Sequence, residues 1–173
     1  MTAALRAYIA VVDRCNRWIG RLVMYGIFVM MAILLWSIVS KAVFLPSLWT
    51  LEMAQFAMTA YYILGGPYAL QMGSNVRMDL LYGEWSERRK AQVDAITVLF
   101  LIVYLAVLLW GGWDSLMYSF QYGGERSPTA WRPYLWPIKS IMVAGIALML
   151  LQVLSELFKD ILRLRGEDMG EKT

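Results

Sequence analysis

Four stretches of this chain carry no charged side chain: residues 22–40, 53–76, 95–113 and 140–155. Each approaches the ~20 apolar residues that an α-helix needs to cross a hydrocarbon core of about 30 Å. The expected fold is an all-α integral membrane protein with four transmembrane helices. The spans are expected at about 21–44, 51–70, 93–114 and 136–158, in one domain covering 1–173, with a cytoplasmic tail at 159–173. Pumps and ion-coupled carriers usually hold what they move on charged or histidine side chains within the bilayer. The uncharged spans therefore favour a membrane scaffold that works with a partner.

Composition narrows the chemistry. Histidine is absent, which removes the usual axial haem ligand and the commonest zinc ligand. The single cysteine, Cys15, has no partner for an internal disulfide or a redox pair. The serines have no histidine or paired lysine as a base, and no phosphate-binding glycine loop is present. Neither a cofactor nor an enzyme activity is expected.

The net charge of +3 is explained by its distribution. Arg6, Arg14, Arg17 and Arg21 precede the first span; Arg77, Arg88, Arg89 and Lys90 lie between spans two and three. Lys159, Arg163, Arg165 and Lys172 follow the fourth, so twelve of sixteen basic residues fall on one side. Only Lys41, Arg126, Arg132 and Lys139 fall on the other. The positive-inside rule then places both termini in the cytoplasm, an N-in/C-in topology. These cations are expected to meet anionic lipid, not nucleic acid. The first span lies behind five charges and is long enough to cross, so it is expected to stay as an anchor.

Two amphipathic helices are expected at the inner interface. In residues 3–20, Leu5, Tyr8, Ile9, Val12, Asn16 and Ile19 follow helical spacing, with Arg6, Asp13, Arg14 and Arg17 largely on other faces. That helix either lies along the membrane or runs on into span one. In the middle loop, Met78, Leu81, Tyr82 and Trp85 recur at helical spacing, with Arg77 and Asp79 opposite. Tyr82 and Trp85 are expected at headgroup depth.

Several residues are candidates for partner contact. Glu52, Gln55 and Thr59 stand at i, i+3 and i+7 near the outer end of span two. Gly65-Gly66-Pro67, further along it, predicts a kink or local unwinding. Trp110 and Trp113 flank Gly111-Gly112, which could admit a neighbouring backbone. The outer segment 115–137 holds Arg126, Trp131 and Arg132 among six aromatics and three prolines. It is too aromatic for a merely solvated loop and reads as an aromatic belt with a docking surface.

The stretch WTLEMAQFAMTAYYILGGPYALQMGSNVRMDLLYGEWSERRKAQVD resembles the small membrane subunit of tripartite ATP-independent periplasmic (TRAP) transporters, the DctQ-like family. The likeness rests on Glu52 and Gln55 in their helix and on the run Asn75-Val76-Arg77-Met78-Asp79-Leu80-Leu81-Tyr82. The later WPIKSIMVAGIALMLLQVLSELFKDI looks like that family's fourth span, and the likeness covers roughly residues 18–165. Asn75 stands where that family commonly has a histidine. The resemblance implies a bacterial inner-membrane complex. Its large DctM-like permease subunit carries the substrate and sodium sites and moves as an elevator. A periplasmic substrate-binding protein delivers an organic acid. The small subunit braces the permease and helps dock the binding protein. The alternatives are a stand-alone four-span carrier and an accessory subunit of another membrane complex.

Overall fold

A computed structural model describes the backbone of residues 2–72, 87–122 and 124–164, and the side chains of 5–72, 96–122, 124–159 and 161. Every regular element among them is helical: α1 Thr2–Met24, α2 Gly26–Val43, α3 Thr50–Gln71, α4 Glu87–Gln121 and α5 Trp136–Leu164. The single extended pairing is an isolated antiparallel bridge between Arg126 and Tyr134. The middle-loop helix expected around Met78–Trp85 lies outside the described residues.

Among the described residues, three segments are long and apolar enough to cross a membrane: Leu5–Val43, Ile96–Gln121 and Trp136–Lys159. The second expected span, α3, has 22 residues. At 1.5 Å per residue it reaches about 33 Å, enough for a bilayer core. Its composition sets it apart, because Thr50, Glu52, Gln55, Thr59, Gln71, three tyrosines and Gly65-Gly66-Pro67 dilute its apolar content. Its place in the fold matches that composition. It packs on α1, α2 and α5, whereas α4 packs substantially on α5 alone among the described residues.

The neighbours therefore run α2–α3–α5–α4, a row of helices not closed into a bundle, with α1 laid across α3 and α5. α1 and α2 are nearly one rod. Only Tyr25 separates them, and it keeps right-handed helical dihedrals. The amide of Tyr25 bonds Leu22 O, and that of Phe28 bonds Tyr25 O, at 3.2 and 3.1 Å. Of the two arrangements open to residues 3–20, the structure has the continuous one. Ile9, Val12 and Asn16 are buried, so the apolar face is covered by helices and is not free to lie on lipid.

The α3–α5 seam explains how Pro67 is accommodated. Proline lacks an amide hydrogen, so the carbonyl four residues earlier, that of Ile63, loses its intrahelical donor. The helix nonetheless continues to Gln71, so the expected unwinding at Gly65-Gly66-Pro67 does not occur. Gly145 of α5 lies against that spot: a methyl there would come 2.2 Å from Ile63 Cγ2 and 3.1 Å from Ile63 O. Small residues permit such backbone contact between membrane helices. Gly66 packs likewise against Met149. Within the described chain the Gly111-Gly112 pair meets no backbone: Gly111 faces open space and Gly112 touches Val143. Across the α4–α5 seam, Leu105, Ile146 and Val153 form the buried core.

Gly145→Ala is expected to lower stability by about 1–3 kcal/mol, the usual cost of overpacking. Gly65→Ala, with nothing within 4 Å of the added methyl, is expected to be neutral or slightly stabilising. Thermal unfolding in detergent followed by circular dichroism checks both; equal midpoints for the two variants would contradict the seam.

Candidate functional site

Polar side chains gather at the two ends of the row. At the end where α1 begins and α5 finishes, Asp13 of α1 is the hub. Its Oδ1 accepts from Gln152 Nε2 and Ser155 Oγ, both at 3.1 Å, and its Oδ2 pairs with Lys159 Nζ at 2.7 Å. Gln152 also donates to Glu156 Oε1 at 3.0 Å and accepts from Asn16 Nδ2 at 2.7 Å. Lys159 completes the circuit to Glu156 at 2.7 Å. From α3, Gln71 Nε2 donates to the Asp13 backbone carbonyl at 3.2 Å. Gln152 and Ser155 are fully buried, 0% exposed, so an unbonded amide there would carry its full desolvation penalty. Asn16 Oδ1 and Gln71 Oε1 are the buried atoms of this group without a partner.

The sequence did carry a signal for this knot. Gln152, Ser155, Glu156 and Lys159 stand at i, i+3, i+4 and i+7 and form one polar stripe following the apolar run 141–151. Asp13 reads from its spacing as lying off the apolar face of α1, and its actual half-buried position is a correction to that reading. A carboxylate beside the apolar face turns inward when a lysine and two hydrogen-bond donors on the facing helix meet it.

At the opposite end, where α2 leads into α3, the hydroxyls of Ser37, Ser40, Ser47 and Thr50 close the turn 44–49 through contacts of 3.0–3.2 Å. Ser40 also donates to Ser37 O at 3.1 Å. Just beyond, Glu52 is 6% exposed and neither carboxyl oxygen has a hydrogen-bond partner. The face expected to unite Glu52, Gln55 and Thr59 is divided. Gln55 is exposed, and Thr59 donates to the Gln55 carbonyl at 2.9 Å. One helical step of three residues turns the side chain by ~60°, which suffices to bring Gln55 out of the packed interface that holds Glu52.

The loop from α4 to α5 is built as a short hairpin. Ser127 N donates to Pro133 O and Leu135 N to Glu125 O, both at 2.9 Å. The guanidinium of Arg126 lies 4.4 Å above the Tyr134 ring and also donates to a Tyr134 hydroxyl. The base is pinned by an ion pair between Lys139 and Glu125, and Lys139 Nζ also bonds Ser119 Oγ at 2.9 Å. Hydrogen bonds from Lys139 and then Ser119 hold the Glu125 carboxyl below its ordinary pKa. At the tip, Arg132 adopts a left-handed backbone with φ of 51° directly before Pro133. That conformation costs an L-residue roughly 1–2 kcal/mol, and such strain concentrates at functional sites. The tip presents Trp131 and Arg132 to the surroundings.

Trp110 and Trp113 are also exposed, Trp110 at 78%. They stand on α4 beneath Tyr118, Phe120 and Tyr122. Arg77, Asp79, Tyr82 and Trp85 lie outside the described residues. No group of three histidine, cysteine or carboxylate side chains converges on a metal-sized site among the described residues.

A helical chain with apolar spans, polar knots at their ends and an ordered aromatic loop is a polytopic membrane protein. The family described as "Tripartite ATP-independent periplasmic transporters, DctQ component" matches residues 14–163, and the chain belongs to that family. It is thus a small component of TRAP transporters, a transport family rather than an enzyme family. The match takes in Asp13's neighbours, the Glu52 helix, the α4–α5 hairpin and nearly all of α5. No individual curated protein matches the chain in a direct comparison.

The α4–α5 hairpin should respond to pH in a defined direction. A depressed folded pKa means that the Glu125 pair stabilises the loop above the ordinary carboxylate value, about 4.3, and is lost as pH falls through the lowered one. Hydrogen exchange at the Ser127 and Leu135 amides, corrected for intrinsic rate, is expected to be slow at pH 7 and faster at pH 3. Glu125→Gln is expected to exchange fast at both; slow exchange in that variant would contradict the pinning.

Proposed function

We propose that this chain is the bracing subunit of a sodium-coupled TRAP importer for an organic acid, seated in a bacterial inner membrane. A large elevator-type permease carries the transport sites, and a periplasmic protein brings the solute. The carrying observation is the open row of helices. α2 and α4, its two ends, expose Phe28, Leu35, Trp36, Phe100, Val107 and Trp110 along their lengths. Lipid covers some of this surface. The rest suits a large hydrophobic partner, since membrane helices associate through packing where shapes fit.

In this reading α3 crosses as well, giving four spans. It is long enough, and it is flanked by α2 and α5, which both belong to crossing segments. With four crossings and twelve basic residues on one side, both termini face the cytoplasm. The hairpin tip then faces the periplasm, where Trp131 and Arg132, residue types enriched in interface cores, serve as the binding protein's contact. Glu52, Gln55, Thr59, Trp110 and Trp113 belong to the helices offered to the permease. Arg77, Asp79, Tyr82 and Trp85 support the inner loop and its partner contact. Membrane lipids complete the surroundings.

Co-expression with the neighbouring large permease is expected to yield a stable co-purifying complex. In that complex Trp131→Ala with Arg132→Ala is expected to leave subunit yield unchanged. Solute uptake at limiting binding protein should fall at least about tenfold, equivalent to ~1.4 kcal/mol of docking energy. Recovery of the chain without any partner, or unaltered uptake by the double variant, would count against the assignment.

A further inference from the structure

A groove runs between the α1–α2 rod and α3. It consists of two adjoining cavities of about 450 and 350 Å³ that share Val23 and Tyr61 in their walls. Gly20 marks one end on the rod and Val29 the other. At 1.5 Å per residue these nine steps cover about 14 Å, close to one leaflet, or half of the ~30 Å hydrocarbon core. Glycine and alanine keep the floor low: an added methyl at Gly65 would meet nothing within 4 Å.

The mouth of the groove at Gly20 is cationic. Arg17 lies three residues before Gly20 and Arg21 three before Met24, so each sits one turn from a lining residue. Both arginines are exposed, and neither has a described ion pair. The acid nearest them in sequence, Asp13, is already committed to Lys159, Gln152 and Ser155. Exposed Trp18, between the two arginines, is a side chain suited to headgroup depth.

We propose that this groove seats one acyl chain of an anionic phospholipid, with the phosphate on Arg17 and Arg21. Guanidinium groups match phosphate in geometry and charge. Size argues against a partner helix as the occupant. A helix about 10 Å wide and 14 Å long fills roughly 1,100 Å³, more than the two cavities hold together, whereas an acyl chain is far thinner. The proposal places the lipid in the inner leaflet only insofar as α1 is cytoplasmic; the site itself rests on groove and charge.

The test uses the full chain, extracted with whatever membrane partners accompany it, and native mass spectrometry of retained lipid. Phosphatidylglycerol and phosphatidylcholine with identical acyl chains are the probes. The wild type is expected to retain phosphatidylglycerol in preference, and Arg17→Gln with Arg21→Gln to reduce that preference at least about fivefold, the scale of a single membrane-surface cation. Gly65→Leu, which fills the groove without touching a charge and favours helix, is expected to lower retention of both lipids by a similar factor. No headgroup preference in the wild type, or unchanged binding in either variant, would overturn the site. So would Ala57→Cys, made in a Cys15→Ser background, cross-linking to the permease in lipid-free detergent, because the groove would then belong to protein. Binding is read on this chain's own variants, so its failure is distinguishable from failure of the transporter assignment.

Discussion

Asp13 is the point on which the placement of α1 against α3 and α5 depends. One carboxylate, with its own backbone carbonyl, ties α1 to Gln71 of α3 and to Gln152, Ser155 and Lys159 of α5. Charge-assisted hydrogen bonds of this kind are stronger than neutral ones, and in a low-dielectric setting leaving any member unpaired is costly. The knot therefore fixes where α1 crosses the row. Because α1 continues through Tyr25 into α2, it also sets the position of α2 on α3.

The opposite end follows the same logic with different chemistry. Hydroxyls close the α2–α3 turn, and the Lys139–Glu125 pair closes the α4–α5 loop. Between the two ends the helices meet through small residues and methyl groups, as at Gly145 on Ile63 and Leu105 on Ile146 and Val153. Polar bonding at the ends and bare packing in the middle give a rigid element with large uncommitted apolar faces. Glu52 is the exception, a buried carboxyl near that opposite end whose oxygens find no donor within the described chain.

Much of this was legible in the sequence, because hydropathy and helical spacing act locally. The helices fall where the uncharged stretches lie, and Ile9, Val12 and Asn16 share the buried face that their spacing assigns. The family likeness seen in the Glu52 helix and the final span agrees with the match over 14–163. What spacing alone does not reveal is pairing between distant helices. Asp13 and Lys159 are far apart in sequence, and nothing local says that they meet. The row of neighbours, the partition of Glu52 from Gln55, and the survival of the helix through Pro67 all depend on which surface faces which. The hairpin's aromatic content was readable, but its strained Arg132 and its Lys139–Glu125 anchor emerge only when the loop closes.

The central claim is that the chain lends structure and holds no transport site of its own. Reconstitution into liposomes tests this most directly, with sodium and organic-acid fluxes followed for the chain alone and for the chain with its permease and binding protein. The account predicts undisturbed gradients in the first preparation and coupled uptake in the second. Saturable flux through the chain alone would contradict it, and Glu52 would be the first residue to suspect.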